Sequence, residues 1–102
     1  MKIFISQPMR NMSNETIKKE REKIIKQCEL KDCEVIDTIF DFGDKPAMYY
    51  LAKSIEAMSE ADIVIFANGW EEARGCRIEY EVAKNYGKEI AILGDATKWV
   101  IQ

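Results

Sequence analysis

The chain has 102 residues, of which 47% are hydrophobic and 32% charged, and its formal net charge is −3. These values are typical of one compact globular domain over residues 1–102, and a domain this small gains from oligomerisation. A negative chain without a basic block or stripe argues against a nucleic-acid polymer as partner. It leaves a small molecule such as a nucleoside or nucleotide open.

The composition also narrows the chemistry and the location. The absence of histidine excludes Ser-His-Asp and Cys-His catalysis and histidine-ligated zinc. Cys28, Cys33 and Cys76 lack metal-type pairing, so we expect reduced thiols and no bound metal or cofactor. No apolar run has the length of a membrane span, and the opening "MKIFISQPM" is not typical of a signal peptide. We therefore expect a cytoplasmic protein without membrane contact.

The first half of the chain predicts a strand, a helix and a second strand. "KIFIS" (2–6) is rich in β-branched and aromatic residues and is followed by turn formers. Ser13 or Asn14 can cap the next segment, where apolar residues recur at helical spacing, which predicts a helix over 14–31. "CEVIDTIF" (33–40) predicts the second strand.

The second half repeats this alternation. Pro46 suits the first turn of a helix that continues through "MYYLAKSIEAMSEA", and "DIVIFA" is a continuous apolar run typical of a strand covered on both faces. A third helix over 75–86 ends at Gly87, and "EIAILG" predicts a fourth strand. The closing "DATKWVIQ" is compatible with a short fifth strand or a helical turn.

This order predicts a single α/β domain with an open parallel sheet of four to five strands and helices on both faces. In such sheets ligands bind beyond the carboxyl ends of the strands, where the strand order reverses. We therefore expect the functional residues in loops 6–13, 40–47 and 67–75.

Two glutamates in the third helix differ in the direction they face. Helical geometry places Glu79 on the inward face, with Gly75, Ile78, Val82, Ala83 and Tyr86 as its neighbours there. Glu81 projects oppositely, as a solvated residue beside basic neighbours. An inward carboxylate must be paired, raised in pKa, or open to a cavity. We favour a functional site for Glu79, with an ion pair to Arg10 or Arg74 as the structural alternative.

Other candidates lie at the ends of the predicted strands. In the first loop Ser6, Gln7, Met9 and Arg10 offer polar groups and backbone amides for hydroxyls or a phosphate, without the glycines of a dinucleotide or Walker loop. A second set follows the third strand: Asn68, Gly69, Trp70, Arg74 and Gly75. Gly69 permits a sharp turn, and Trp70 is equally compatible with the core and with a stacking surface for a base. Asp62, which opens that strand, is by itself typical of a solvated junction residue.

The stretch "MSEADIVIFANGWEEARGCRIEYEVAKNYGKEI" resembles the nucleoside 2-deoxyribosyltransferase-like superfamily, especially its short bacterial and phage members. The pattern is Ala-Asp, an apolar strand, a Gly-Trp-Glu loop, and then Gly75, Glu79 and Ala83 at spacings of four. The opening "IFISQPM" resembles the first strand and "SGPM"-like loop of the same group. Together these elements cover roughly two thirds of the chain.

The resemblance implies a flavodoxin-like (Rossmann-like) three-layer fold and a specific chemistry. Glu79 would be the nucleophile that attacks C1′ of a 2′-deoxynucleoside and expels the base, which another base or water replaces. Asp62 would help the departing base with its proton. The loops over Ser6–Arg10 and Asn68–Arg74, with Gly75, would bind the substrate. Family members form homodimers or larger assemblies, which we expect here too.

Two departures from the family pattern leave alternatives open. Ala73 stands where relatives carry an Asp or Ser that holds the 5′ end of the sugar, and Gln7 stands in place of a glycine. Arg10 and Arg74 could instead meet a 5′-phosphate. The alternatives to an enzyme are a nucleotide-binding module without turnover on the same fold, and a structural or interaction protein in which Glu79 is ion-paired.

Overall fold

The computed structural model describes residues 1–27 and 32–93, together with the backbone of 99–101. The strands are β1 (Lys2–Ser6), β2 (Glu34–Val35), β3 (Ile63–Phe66), β4 (Glu89–Leu93) and β5 (Trp99–Ile101). The helices are α1 (Asn14–Gln27), α2 (Ala47–Met58) and α3 (Arg74–Asn85), with a 3₁₀ turn over Trp70–Glu72 before α3.

The strands form one sheet in the order β2-β1-β3-β4-β5. The first four are parallel, with Ser6 opposite Phe66 and Phe66 opposite Ile92, and β5 pairs with β4 in the antiparallel sense. The strand order reverses between β1 and β3, since the chain moves to one side for β2 and to the other for β4. The predicted flavodoxin-like α/β fold is confirmed, and the undecided C-terminal stretch contributes the antiparallel edge strand.

Two apolar cores lie on opposite faces of the sheet. On one face Ile3, Ile5 and Ile65 pack against Ile24 of α1. On the other face Phe4 and Phe66 pack with side chains of α2 and α3, including Met58 and Ala83. The alternation along β1 and β3 sends successive side chains to the two faces, which explains why both strands read as unbroken apolar runs.

The second strand is much shorter than predicted. Only Glu34–Val35 has strand geometry, although the amide of Ile36 still donates to the carbonyl of Ile3 at 2.8 Å. Beyond this point the amide of Ile39 donates to the Asp37 carboxylate of its own segment at 2.9 Å. The prediction of a strand through residue 40 is therefore wrong, because backbone pairing with β1 ends after Ile36 and a local side-chain hydrogen bond takes its place.

The helix ends largely follow the sequence signals. Pro46 immediately precedes α2, and Gly87 follows α3 with a φ of 71°, a conformation that glycine adopts without strain. α1 is helical up to Gln27, and the rest of its predicted range, 28–31, lies outside the described residues. Among the helices described, none is long and apolar enough to cross a membrane.

Candidate functional site

Glu79 lies on the buried face of α3, as predicted, with only 6% of its surface exposed. The hydroxyl of Ser6, at the carboxyl end of β1, donates to its Oε1 at 2.7 Å. The other oxygen, Oε2, accepts no hydrogen bond from the described residues. Every fully buried side-chain polar atom among these residues has a hydrogen-bond partner. Oε2 is therefore not fully buried, and Glu79 is among the residues that line the cleft.

This cleft opens at the carboxyl ends of β1 and β3, where the strand order reverses. Its volume is about 1390 Å³, above the 300–1,000 Å³ usual for small-molecule pockets, because it is open to solvent on one side. The lining segments are the β1 end and its loop, the turn after β2, the start of α2, and the first half of α3. Glu79 and Ser6 both contribute to this lining, so the buried carboxylate lies at the cleft.

Burial raises the pKa of Glu79 from its usual 4.5 to about 7. Removal from water is the largest cause, and the Ser6 hydrogen bond and the positive charge of Arg21 act in the opposite direction. A carboxyl group with this pKa is roughly half ionised at neutral pH. It can therefore act as a nucleophile, or exchange a proton, near physiological pH.

A second buried polar cluster adjoins Ser6. Nε of Arg21 donates to the side-chain oxygen of Gln7 at 2.6 Å, and its guanidinium also donates to the hydroxyl of Thr38 at 2.6 Å. The Gln7 amide nitrogen donates in turn to Glu20 at 3.0 Å. Gln7, the departure from the glycine of the family pattern, thus bridges β1 and α1 and uses both ends of its amide.

Several predicted binding residues line the cleft: Ser6, Gln7, Met9, Arg10, Gly69, Arg74 and Gly75. Gly69 has a φ of 87°, and a side chain added there would meet Pro8 of the first loop at 3.6 Å. The two loops therefore meet at this glycine. Arg10 and Arg74 are exposed at the cleft, and the ion pair found among the described residues, Lys53–Glu56, involves neither of them. The alternative of an ion pair from Glu79 to either arginine is not realised.

Three predicted residues lie elsewhere. Asp62 precedes β3 at the amino edge of the sheet, level with Lys2, whose amide donates to its carboxylate at 2.6 Å. Four strand residues, roughly 13 Å, separate that level from Ser6, so the structure does not bring Asp62 to Glu79. Asn68 is exposed and does not contribute to the lining of the cleft.

Trp70 also lies outside the lining. Its ring stacks on Tyr80 with a centroid separation of 4.8 Å and packs against Phe66 at 5.3 Å. Of the two interpretations that the sequence left open for Trp70, the structure therefore supports core packing.

The predicted inward face of α3 needs a correction. Ile78 is 38% exposed and Tyr86 81% exposed, whereas Cys76, Glu79 and Ala83 are buried. The stripe that contacts the sheet follows the spacing 76, 79 and 83, so Ile78 is rotated towards the cleft, and Tyr86 lies beyond the last helical residue.

Sequence reasoning missed Arg21, Thr38 and Cys76. Arg21 lies four residues after Ile17 and three before Ile24, on the buried stripe of α1, so the helical spacing carried the signal. Cys76 precedes Glu79 by one turn of α3. Burial and the nearby carboxylate raise the pKa of its thiol to about 11, although a hydrogen bond with Ser6 acts in the opposite direction. Thr38 carried no such signal, since its segment was predicted as strand.

The described part of the chain holds no candidate metal site. No three histidine, cysteine, aspartate or glutamate side chains there are grouped as a metal site would require. Fold and cleft together define an α/β protein of flavodoxin-like topology with a buried carboxylate at the carboxyl edge of its parallel strands.

Residues 1–92 match the family described as Domain of unknown function (DUF4406), and the chain belongs to this family. No curated protein and no solved structure matches it. The family description names no activity, so the resemblance to nucleoside 2-deoxyribosyltransferases stays a prediction.

Proposed function

We propose that the protein cleaves or transfers at the N-glycosidic bond of a 2′-deoxynucleoside or its 5′-monophosphate, with Glu79 as the nucleophile. The observation that carries the proposal is the position of this side chain. Glu79 is buried, accepts a hydrogen bond from Ser6 through one oxygen, and belongs to the lining of the cleft. A carboxylate fixed in this way can attack the carbon atom of a substrate bound beside it without first reorganising.

The proposed reaction has two displacements at the same carbon. Oε2 of Glu79 forms a bond to C1′ as the bond from C1′ to the base nitrogen breaks, and the electron pair leaves with the base. Water or a second base then attacks C1′ and releases the carboxylate. In hydrolysis one water molecule supplies the hydroxyl of the sugar and the proton of the base. In transfer the incoming base gives up the proton that the departing base takes.

The cleft arginines favour the 5′-monophosphate. Arg10 and Arg74 line the cleft, and so does Gly75 in the first turn of α3, a helix whose first amides have no partner within the helix. Ala73, the residue that caps this helix, makes no side-chain cap hydrogen bond, so these amides stay available to an anion. A phosphate group would then take the place of the side chain that holds the 5′ end in the resembling family.

One wall of the cleft is apolar and can accept a base. Phe40 follows β2, stacks on Phe42 with a centroid distance of 5.1 Å, and lines the cleft with Met48 and Leu51 of α2. Phe40 thus supplies an aromatic stacking surface, one of the two roles that the sequence analysis left open for Trp70. A purine or pyrimidine bound here would place its sugar between this wall and Glu79.

Base release and base exchange are the activities to measure. The protein is incubated with the four deoxynucleosides and their 5′-monophosphates, with and without a free base, and the products are separated chromatographically. We expect release or exchange that Glu79→Gln loses and that Glu81→Gln, on the exposed face of the same helix, retains. Equal product from the wild type and Glu79→Gln would contradict the proposal.

A binding module without turnover is the second candidate. The position of Asp62 favours this candidate, because its carboxylate lies at the other edge of the sheet and does not reach the departing base. This function predicts thermal stabilisation by a nucleotide with no base released; a ligand at 100 times its Kd contributes about 2.7 kcal/mol. The predicted homo-oligomer and the cytoplasmic location stay predictions.

A further inference from the structure

Arg21 presents an unusual combination of charge and surroundings. Its side chain is only 6% exposed, although arginine is almost never fully buried without a charged partner. Its hydrogen-bond acceptors are the neutral oxygens of Gln7 and Thr38, and the ion pair among the described residues does not include it. Burying a cation against neutral partners costs free energy that the two hydrogen bonds offset only in part.

The same contacts place Arg21 where three segments meet. It extends from α1 to Gln7, the residue after Ser6, and to Thr38, which lines the cleft in the turn after β2. Ser6 is the hydrogen-bond donor of Glu79. A displacement of Arg21 would therefore reach the carboxylate through the backbone between Gln7 and Ser6.

We propose that Arg21 is a positioning residue of the cleft: its buried guanidinium fixes Gln7 and Thr38, and through Gln7 it fixes the strand end whose Ser6 donates to Glu79. This inference rests on the proposed role of Glu79 as the nucleophile. An isolated buried carboxyl group would keep its proton; a cation in the same low-dielectric region offsets that tendency without contacting the substrate.

Charged groups also lie near Arg21 on its other side, where it lines a groove with Lys18, Glu22, Lys26 and Asp37. Asp37 and Glu79 both raise the pKa of Arg21, against the larger lowering by burial. Cys76 faces Glu79 from α3, and Glu20 reaches Arg21 only through the amide of Gln7. The positive charge of Arg21 lowers the pKa of Glu79. Removing this charge should therefore raise the pKa of Glu79, which can be measured directly.

The test is the titration of the Glu79 carboxyl carbon by ¹³C NMR, assigned with Glu79→Gln, in the wild type, Arg21→Met and Arg21→Lys. Lys19→Met, which removes an exposed cation from the same helix, is the matched control. We expect the Glu79 midpoint to rise by about half to one pH unit in Arg21→Met and to stay within a few tenths of a unit in the control.

Arg21→Lys separates charge from position, because lysine keeps the charge but cannot donate through a planar fork. We expect its Glu79 midpoint to stay near that of the wild type, while kcat/KM for base release falls about tenfold. This variant also serves if Arg21→Met does not fold.

An unchanged midpoint in a folded Arg21→Met, or an Arg21→Lys with wild-type kcat/KM, would overturn the inference. The titration needs no turnover. A protein that releases no base but shows the shifted midpoint would refute the proposed reaction and retain the electrostatic role of Arg21.

Discussion

Replacing Glu79 with glutamine should stabilise the fold above pH 7. The pKa of this carboxyl is raised from 4.5 to about 7, so the folded protein must ionise a group that burial disfavours. One pH unit corresponds to about 1.4 kcal/mol, so raising the pKa from 4.5 to about 7 costs a little over 3 kcal/mol. Glutamine has nearly the same shape, and its side-chain oxygen can still accept the hydrogen bond from Ser6.

The sign follows from the proton bound in each state. Below pH 4.5 both the folded and the unfolded chain carry the proton, and the raised pKa costs no stability. Between pH 4.5 and 7 the folded chain holds the proton and the unfolded chain has lost it, so the free energy of unfolding falls as the pH rises. Above pH 7 the loss of about 3 kcal/mol is complete.

Urea denaturation followed by circular dichroism at pH 5, 6, 7 and 8 measures this dependence. We expect Glu79→Gln to exceed the wild type by about 3 kcal/mol at pH 8 and to have a flatter pH profile between pH 5 and 7. The matched control is Glu81→Gln, an exposed position two residues along the same helix, which should stay within about 0.5 kcal/mol of the wild type.

The contrary result is equally well defined. If Glu79→Gln is less stable than the wild type at pH 8, the carboxylate stabilises the fold, as the ion-paired alternative requires. If the pH profiles of the two proteins run parallel, the raised pKa of Glu79 is wrong, and with it the electrostatic part of our reasoning.

Three further substitutions test individual features of the fold and the cleft. Gly69→Ala should lower the free energy of unfolding by about 1–2 kcal/mol, because Gly69 has a positive φ. Gly75→Ala lies in the first turn of α3, 4.0 Å from the nearest side chain, and should raise the free energy of unfolding by up to about 1 kcal/mol. Equal effects of the two substitutions in urea denaturation would contradict the backbone argument. Trp70→Ala should cost about 2–3 kcal/mol in the same assay, since the half-buried ring packs on Phe66, and stability equal to the wild type with weaker nucleotide binding would instead restore a stacking role. Asp62→Asn should leave base release unchanged and cost no more than about 1 kcal/mol, and a loss of turnover would return Asp62 to the reaction.

The fold was largely predictable because its signals are local. Continuous apolar runs marked the buried strands β1 and β3, and glycine at position 87 marked the end of α3. The length of β2 was not predictable in this way. Its residues have strand-forming side chains, but backbone pairing stops where Asp37 bonds to the amide of Ile39 and Thr38 contacts Arg21. The contact with Arg21 depends on the assembled structure.

The site was predictable only in part, for a related reason. Helical spacing identified Glu79 as buried, and the strand order placed the cleft, because both follow from geometry that the sequence carries. The partner of the carboxylate did not follow, since Ser6 lies 73 residues away in the chain. Asp62 was attached to the site through resemblance, and the parallel register places it at the other edge of the sheet.

The most direct test of the central claim is a search for a covalent bond between Glu79 and C1′. The protein is mixed with a 2′-fluorinated arabino-nucleoside and with its 5′-monophosphate, since the electron-withdrawing fluorine disfavours the positive charge of the transition state and lets the intermediate accumulate. Intact-protein and peptide mass spectrometry then locate the added sugar. We predict an adduct on the peptide that contains Glu79, absent from Glu79→Gln. An adduct that persists in Glu79→Gln, or no adduct together with no base release from any deoxynucleoside or monophosphate, would contradict the account.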